Sequence, residues 1–575
     1  MTDRCSQQVV LAVSFSFFVA VISGCGGGGG GDGGAGTASP PPVTPASFAV
    51  VPSAGANGSI NPAAPQSVGR GTTATFTVTA NAGYVASVGG TCGGTLVGTV
   101  FTTSAINADC TVIAGFNSVG SIYVSVNGND ANTCVAAQSP ATAKQTLQAA
   151  LVCLVPGSTL IVRDGIYSGE VNALHNLPSG TAGRAITIKA ENDGGVIITT
   201  GLNTGPTSAH LIFQGLRFHD TFGRSILGNH LKFFRNEFKG GCPSGNCANT
   251  TVGSNDVNDT ADILFEENWW HGAGGRYNLL VYNANRVVVR RAVIRHDGGW
   301  SDSKGDPEAG INFYNSSNCS AQNVLVVDSD LAYSAWQGAF YAVYNSASPG
   351  ANANNSWLGN IALNNPAGGA FRLDGNGPIT STLVQDMVLW DSEYAAALGS
   401  GSSQINITMN RITAGTSRRA SPGDGFVQFA SAFTGTVSNV IVTRTVNEQI
   451  GVPLTFFDSF NNGNASTGGG RVTYSPFANG LQYLTRIETG GALKTVGAGG
   501  GQIGAQIVNR IGSAGSCQGE TGWNTETGTA LWPYPNEARI MKEMCTDTGV
   551  TRGFCADTSF TRYIMNYLGN GNPYQ

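Results

Sequence analysis

The chain of 575 residues has a formal net charge of −5, and only 11% of its residues are Lys, Arg, Asp or Glu, well under the usual quarter of a soluble protein. So mild a charge gives no electrostatic case for nucleic-acid binding, and the six scattered histidines form no zinc motif. Glycine is abundant, at 81 residues, without the strict triplet period of collagen. This composition favours many short strands and tight turns.

The N-terminus is an apolar run over residues 9–22 that ends in the tetrapeptide ISGC at residues 22–25. The run is too short for a comfortable bilayer span, and small residues at its end are typical of a signal-peptidase site. The tetrapeptide resembles the lipobox of bacterial lipoproteins, which implies that residues 1–24 are removed and that Cys25 carries lipid. By the same resemblance, the glycine after Cys25 implies an outer-membrane address, facing the periplasm or the exterior. An ordinary secretory signal that contains a cysteine is the alternative.

Two segments of different texture follow the predicted lipid anchor. Residues 25–47 are rich in Gly, Ala and Pro, which predicts a disordered tether. Residues 48–117 predict a small all-β module, since apolar and hydroxyl residues alternate in the ATFTVTA run at residues 74–80. The motifs NGSI at residues 57–60 and DCTV at residues 109–112 resemble the divergent Gly-rich β-repeats of bacterial surface proteins. That resemblance implies a spacer, with an adhesive module as the alternative.

Residues 121–511 carry an internal repeat made of two families of strand-like runs. Runs of the first family begin at His210, His230, Asp262, Arg286, Ala321, Ser356, Thr382, Gln404 and Thr436. Runs of the second family lie between them and begin at Tyr277, Gly310, Gly338, Gly369 and Gly425. Each unit therefore has two short strands joined by an Asn- or Gly-rich bend. One unit alone cannot bury its apolar face, whereas stacked units share a continuous core.

This pattern resembles the right-handed parallel β-helix of the pectin-lyase-like superfamily. The beginning of the repeat region resembles that superfamily too, with IYVSVNGND at residues 122–130, an amphipathic segment at residues 144–154 and a strand beginning at Thr159. The resemblance implies that the amphipathic segment is a helix capping the first coil of an all-β solenoid. We expect the protein to be a monomer whose only membrane contact is its lipid anchor.

Residues 512–575 predict a C-terminal cap and strap over the last coil. A helical pattern runs from Pro535 to Met544, and a second helix begins at Asp557 or Thr558 and ends at Gly569. The tryptophans and tyrosines before the first helix favour an aromatic, proline-stiffened strap. A sugar-binding aromatic platform is the alternative interpretation of the same residues.

Ten cysteines remain once Cys5 leaves with the signal and Cys25 takes lipid. An even number in an exported chain predicts disulfides. Neighbouring cysteines give the local pairs Cys92–Cys110, Cys134–Cys153, Cys242–Cys247 and Cys545–Cys555. Cys319 and Cys517 are left over, and we expect the mature chain to show no reactive thiol when it is denatured without reductant.

Charge is concentrated between Arg290 and Glu308, which predicts a functional loop beside one strand. Elimination from a uronic acid needs a base for the proton beside the carboxylate and a cation to neutralise that carboxylate. By resemblance to the polysaccharide lyases of the superfamily, Lys304 or Arg295 is the base, and Ca²⁺ is the implied metal. The resemblance gives the metal ligands as Asp302, Asp306 and Glu308. The substrate would be an acidic polysaccharide.

Three alternatives remain open at this point. The charged segment could be a solvated loop whose ion pairs contribute little. Asp262, Glu266, Glu267 and Asp374 could instead hydrolyse a glycosidic bond, although the Asp-Asp signature of polygalacturonase-type members is absent. The whole protein could be a non-catalytic, glycan-binding or adhesive surface scaffold. His219 and His271 are isolated in the sequence, which favours a structural role for both.

Overall fold

The computed structural model describes residues 46–81, 84–118, 120–242, 245–256, 259–272, 275–295, 309–327, 338–346, 351–398, 403–415, 427–429, 433–443, 455–461, 483–497 and 500–569. Among these residues, no helix is long and apolar enough to cross a bilayer.

The N-terminal module is a small all-β unit with a core of its own. Its strands are β1 (Ser47–Ala54), β2 (Gly58–Asn61), β3 (Gln66–Gly69), β4 (Thr75–Ala80), β5 (Tyr84–Gly89), β6 (Gly94–Val97), β7 (Val100–Thr103) and β8 (Cys110–Ser118). They form two four-stranded sheets, ordered β3-β1-β8-β5 and β2-β4-β7-β6. The alternation predicted at residues 74–80 is present, because Phe76 and Val78 are buried between exposed threonines.

A long parallel β-solenoid follows the module. Its strands are β9 (Ser121–Val124), β10 (Thr159–Val162), β11 (Gly165–Tyr167), β12 (Ile186–Ala190), β13 (Val196–Ile198), β14 (Ala209–Gln214), β15 (Leu216–Asp220), β16 (Arg224–Ile226), β17 (Gly228–Phe234), β18 (Glu237–Gly240), β19 (Gly245–Val252), β20 (Thr260–Glu266), β21 (Trp269–His271), β22 (Gly275–Tyr282), β23 (Asn285–Arg290), β24 (Val293–Arg295), β25 (Ala309–Tyr314), β26 (Ser320–Gln322), β27 (Leu325–Val327), β28 (Ala339–Asn345), β29 (Asn352–Ala353), β30 (Ser356–Leu358), β31 (Ile361–Gly375), β32 (Ile379–Thr380), β33 (Leu383–Leu398), β34 (Gln404–Gly415), β35 (Val427–Phe429), β36 (Phe433–Thr443) and β37 (Thr455–Asn461).

These strands stack in parallel register into three faces. The first face runs β9-β10-β12-β14-β17-β20-β23-β26-β30, the second runs β11-β13-β15-β18-β21-β24-β27, and the third runs β16-β19-β22-β25-β28. The long strands β31, β33, β34 and β36 bend through corners and extend more than one face. The predicted β-helix is therefore confirmed.

One detail of the repeat differs from the sequence prediction. The first-family runs that begin between His210 and Ser356 are each bent into two strands, so a coil there has three strands rather than two. The bend falls at a residue with positive φ, namely Gly215 (71°), Arg235 (52°) or Glu267 (58°) in successive coils. The turn is supported from inside by buried asparagines, since Asn236 Oδ1 accepts a hydrogen bond from the Leu216 amide at 2.9 Å. A single left-handed residue is enough to turn a strand through a corner.

The solenoid core consists of aligned side chains, because parallel in-register stacking places equivalent positions above one another. Two ladders of inward rings are Phe213, Phe233 and Phe265, and Phe218, Phe238 and Trp270. Their neighbouring rings are nearly parallel, with centroids between 4.7 and 5.3 Å apart.

The predicted N-terminal capping helix is present and shorter than expected. Helix α1 (Leu147–Leu151) begins after Thr146, whose hydroxyl accepts a hydrogen bond from the Ala149 amide at 3.3 Å. Its Leu147 and Leu151 side chains are buried in the solenoid core, against the first coil.

The C-terminal helices are also present, but they lie beside the solenoid. Helix α2 (Glu537–Met541) continues as a π-helical turn (Lys542–Thr546), and α3 (Phe560–Leu568) follows. Their apolar side chains share one cluster with Trp269, Val293 and Leu325 on the outside of the second face. The expectation that this region covers the last coil is thus corrected for the described residues. The second face has an apolar stripe on its outer side, and the helices bury it.

A strap of extended chain, residues 504–530, precedes these helices and runs along the corner between the first and second faces. It passes the coils in reverse order, from the Asn439 carbonyl to the Glu266 carboxylate. Its contacts are Gly504 N to Asn439 O (2.9 Å), Gln506 N to Asp386 Oδ1 (3.0 Å), Ile511 N to Asn323 Oδ1 (2.6 Å) and Gly515 N to Glu266 Oε2 (2.8 Å). The hairpin of β38 (Asn509–Ile511) and β39 (Glu526–Ala530) belongs to this strap.

All four predicted disulfides, Cys92–Cys110, Cys134–Cys153, Cys242–Cys247 and Cys545–Cys555, are present. The expectation that no thiol remains is wrong, because Cys319 and Cys517 are both free and buried. Cys319 lies in the solenoid core, whereas Cys517 packs on the outer side against Leu264 and Val288. The sheet separates the two sulfurs. Burial raises the pKa of the Cys319 thiol to about 12.

Candidate functional site

Arg290, which opens the predicted charged segment, is fully buried under the strap. Its guanidinium donates to the Ser516 carbonyl at 2.8 Å, to the Trp523 carbonyl at 3.0 Å and to the Ser513 carbonyl. Burial lowers the pKa of Arg290 to about 10, against the attraction of Glu266. This arginine therefore fastens the strap and has no room for a substrate.

Arg291 and Arg295, like Arg290, donate hydrogen bonds to carbonyl groups of the C-terminal region. Arg291 donates to the Ile511 carbonyl at 2.9 Å and pairs with Glu266 and Glu267. Arg295 is 2% exposed, and its guanidinium donates to the Met544 carbonyl in the helical region. It also lies 5.9 Å from the centre of the Phe554 ring. We therefore correct the assignment of Arg295 as a catalytic base, because a guanidinium held in this way does not reach a polymer in solvent.

The other predicted site residues, Asp302, Lys304, Asp306 and Glu308, lie outside the described residues. The described residues on either side of them, Arg295 and Ala309, belong to β24 of the second face and β25 of the third face. Within the described part of the chain, no group of three His, Cys, Asp or Glu side chains is arranged to hold a metal ion. The calcium ligands remain a prediction.

The four carboxylates weighed for glycoside hydrolysis are each neutralised by arginine. Asp262 accepts both hydrogen bonds of a bidentate pair with Arg286, at 2.6 and 2.7 Å. Glu266 and Glu267 pair with Arg291, and Asp374 pairs with Arg372. Asp262 and Glu266 lie on β20, Glu267 follows at its corner, and Asp374 lies apart from them on β31. Carboxylates that are already paired with arginine do not form the pair of free acids that glycoside hydrolysis needs.

The third face has an outward cavity of about 280 Å³. Arg276, Tyr282 and Tyr314 line it, and Arg276 Nη1 donates to Asn246 Oδ1 at 3.0 Å. The tyrosine row continues to Tyr344, with ring centroids 5.1 and 4.7 Å apart. All three tyrosines are partly exposed. A cation beside a row of phenols suits a ligand with carboxylate and hydroxyl groups.

Asn312 lies on the same face, in register between Leu280 and Ala342. Its side chain is fully buried, and neither its amide nitrogen nor its oxygen has a hydrogen-bond partner among the described residues. Buried amides are almost always hydrogen-bonded. Asn312 is an exception to this rule among the described residues.

A second charged cluster lies on the second face, and the sequence analysis did not identify it. The buried Glu237 carboxylate accepts from Arg217 Nε at 2.5 Å, from His219 Nε2 at 2.6 Å and from His271 Nε2 at 2.7 Å. These contacts lower the pKa of Glu237 well below its usual value, although burial opposes them. His219 and His271 are structural, as expected, but they are not isolated, because both bind one carboxylate.

An alignment of the repeat units would have revealed this cluster. LRFHD at residues 216–220, NEFKG at residues 236–240 and NWWHG at residues 268–272 hold equivalent positions in successive coils. His219 and His271 therefore face outward one coil to either side of the Glu237 coil. The cluster is closed from outside by Glu543 and Asp547 of the C-terminal region, both within 3.7 Å of Arg217.

No protein-family model and no curated protein matches the chain. Solved structures that it resembles include pectate lyase Pel9A, at 12% identity and a TM-score of 0.38, covering 67% of this chain and 95% of that one. A rhamnogalacturonan lyase gives 13% identity and a TM-score of 0.26 over 62% and 85% of the two chains. The catalytic unit of an α-1,3-glucanase from Streptomyces thermodiastaticus gives 15% identity and a TM-score of 0.35 over 66% and 75%. At these identities the similarity is one of fold.

Proposed function

We propose that the protein binds an acidic polysaccharide along its third face and cleaves it by β-elimination. The observation that carries this proposal is the outward cavity in which Arg276 lies beside Tyr282 and Tyr314. A guanidinium can neutralise a uronate carboxylate, while phenol groups hydrogen-bond and pack against sugar rings. Because coils repeat along the solenoid, the tyrosine row provides successive contacts for a linear polymer.

Lys304 is the proposed base. It precedes Ala309 in the sequence, the first residue of β25 on the third face, whose neighbours in register are Tyr277 and Ala339. In the elimination, the base takes the proton beside the carboxylate, the bond from carbon to the glycosidic oxygen breaks and a carbon–carbon double bond forms. The leaving oxygen takes up a proton from water and becomes a hydroxyl group. Asp302, Asp306 and Glu308 are hard oxygen donors suited to Ca²⁺, and the ion would help to neutralise the substrate carboxylate.

The test is the absorbance of unsaturated uronate after incubation with pectate, alginate and other acidic glycans, with and without Ca²⁺. We expect product with at least one polymer, and a loss of at least about 100-fold in rate in Lys304→Ala, as for removal of a general base. Lys189→Ala, on β12 of the first face, is the matched control and should keep full activity. Absence of unsaturated product across the whole panel would contradict the elimination.

A non-catalytic glycan-binding scaffold is the second candidate. It is favoured by the contacts of Arg290, Arg291 and Arg295, which use much of the charged segment to fasten the C-terminal region. The two candidates differ in one measurement. The scaffold would be supported if the polymer binds without forming any elimination product, and binds more weakly to Tyr314→Ala than to the parent.

We also propose that the protein is a monomer held at the outer membrane through lipid on Cys25. The supporting observation is the ISGC motif followed by a glycine run. Lipid chains provide membrane affinity through buried methylene groups. Cys25→Ser should therefore move the protein from the membrane fraction to the soluble fraction. Unchanged partitioning of that variant would contradict the anchor.

A further inference from the structure

We propose that a pocket on the first face, separate from the third-face cavity, binds a single uronic acid. The pocket has a volume of about 630 Å³, within the range typical of small-molecule sites. The turn at residues 181–185 forms one side, the outer surface of β14, β17 and β20 forms the floor, and strap residues 517–520 form the other side.

Potential hydrogen-bond donors converge on the floor of this pocket. His210 and His230 occupy the same position in consecutive coils, and their rings stack with centroids 4.6 Å apart. Lys232 lies two residues further along its strand and uses one N–H to donate to the Gly515 carbonyl at 2.7 Å. An ammonium group has three N–H bonds, so two remain for a ligand.

The carboxylates near this floor are already engaged. Asp262 is held by the bidentate contact with Arg286. Glu520, on the strap side, accepts from the Cys517 amide at 2.8 Å through one oxygen. Burial, together with repulsion from His230, lowers the pKa of His210. An anion placed between the imidazoles and Lys232 would relieve that repulsion, so the floor suits a carboxylate.

The strap side adds hydrogen-bond acceptors to the pocket. Gln518 and Glu520 of the strap both line it. Glu520 has a second carboxylate oxygen available on the same side. A ligand that fills the pocket therefore has an anionic group toward the floor and hydroxyl groups toward the strap. A uronic acid has both, whereas acetate lacks the hydroxyls and a neutral hexose lacks the charge.

The experiment is calorimetric titration of the folded protein with galacturonate, galactose and acetate. We expect galacturonate to bind at least tenfold more tightly than either of the others. The double variant His210→Gln/His230→Gln should lose at least tenfold in galacturonate affinity. His175→Gln, which changes a histidine paired with Glu170 outside the pocket, should bind as the parent does. If the double variant melts at a lower temperature than the parent, the single variant His230→Gln is titrated instead, because His230 is exposed.

Equal affinities for galacturonate and galactose, or an unchanged affinity in the histidine variants, would overturn the proposal. The inference shares its ligand class with the proposed function but uses different residues, so the two can fail separately. Tyr314→Ala should weaken polymer binding and leave galacturonate binding unchanged. If galacturonate binds but no polymer is bound or cleaved, the result contradicts the proposed function and leaves the present inference standing.

Discussion

Replacing Glu543 by glutamine should stabilise the protein at pH 8 and leave its stability nearly unchanged at pH 4. Glu543 is 2% exposed beneath the C-terminal region. Burial raises its pKa to about 7; the nearby Glu237 adds to the increase, and Arg539 opposes it. Trp269 Nε1 and Arg539 Nε donate to its two oxygens at 2.8 and 2.7 Å.

The sign follows from where the proton is held. The folded state keeps the Glu543 proton up to about pH 7, whereas the unfolded chain loses it near the ordinary value of 4.5. The contribution of this group to stability is therefore complete below about pH 4.5 and is lost as the pH rises to about 7. At about 1.4 kcal/mol per pKa unit, the loss amounts to ~3 kcal/mol above pH 7. Glutamine is neutral, as the protonated acid is, and avoids that loss. Its amide nitrogen cannot accept one of the two hydrogen bonds, which costs about 1 kcal/mol at either pH.

Urea unfolding at pH 4 and pH 8 measures the effect. We expect Glu543→Gln to exceed the parent by ~2 kcal/mol at pH 8 and to lie within about 1 kcal/mol of it at pH 4. Glu526→Gln is the matched control, since Glu526 is exposed on β39 and should show no such pH dependence. A variant that is destabilised at pH 8, or whose difference from the parent does not change with pH, would refute the reasoning.

Three further outcomes are expected. Arg290→Gln should expose the strap to limited proteolysis, because it leaves three strap carbonyls without their donor and costs about 3–5 kcal/mol of local stability; a digestion pattern like that of the parent would contradict this. Phe233→Ala should lower the free energy of unfolding by about 3–5 kcal/mol, because the ring is fully buried between Phe213 and Phe265; a loss under about 1 kcal/mol would count against the ladder. Thiol titration without reductant should find no reactive thiol in the folded protein and two, Cys319 and Cys517, after denaturation; a single thiol or none would indicate a pairing that the structure does not have.

The solenoid could be predicted from the sequence because its coils repeat one chemical pattern. Runs such as HLIFQGLRF and HLKFFRNEF place equivalent residues in register, and these residues stack directly in the structure. The corner inside each run was missed because Gly215, Arg235 and Glu267 share a backbone conformation but not a residue type. The periodicity of apolar residues indicates which positions repeat. It does not indicate which residue has a positive φ, because the hydropathy of a charged residue is the same in either backbone conformation.

The position of the C-terminal region could not be predicted for a different reason. Its helices were expected, and Ile564 and Leu568 of the second helix are buried. The strap, however, is held by hydrogen bonds between backbone groups and side chains far away in the chain, such as Arg290 to Ser516, which are 226 residues apart. Contacts of this kind need only a carbonyl, which every residue has. A run of arginines therefore looks the same in sequence whether it binds a substrate or a distant part of its own chain.

The distribution of these contacts also explains why the third face is the side on which we place the polymer. Helices α2 and α3 bury the outer stripe of the second face, and the strap occupies the corner between the first and second faces. Among the described residues, those that line the third-face cavity lie between Asn246 and Tyr314 and include none from the C-terminal region. An extended ligand needs several successive coils on one side, and the strap limits the first-face pocket to the size of a single sugar. The proposed third-face site thus has room for several sugars of a polymer, whereas the first-face pocket has room for one. The reason is that the C-terminal region covers the second face and borders the first.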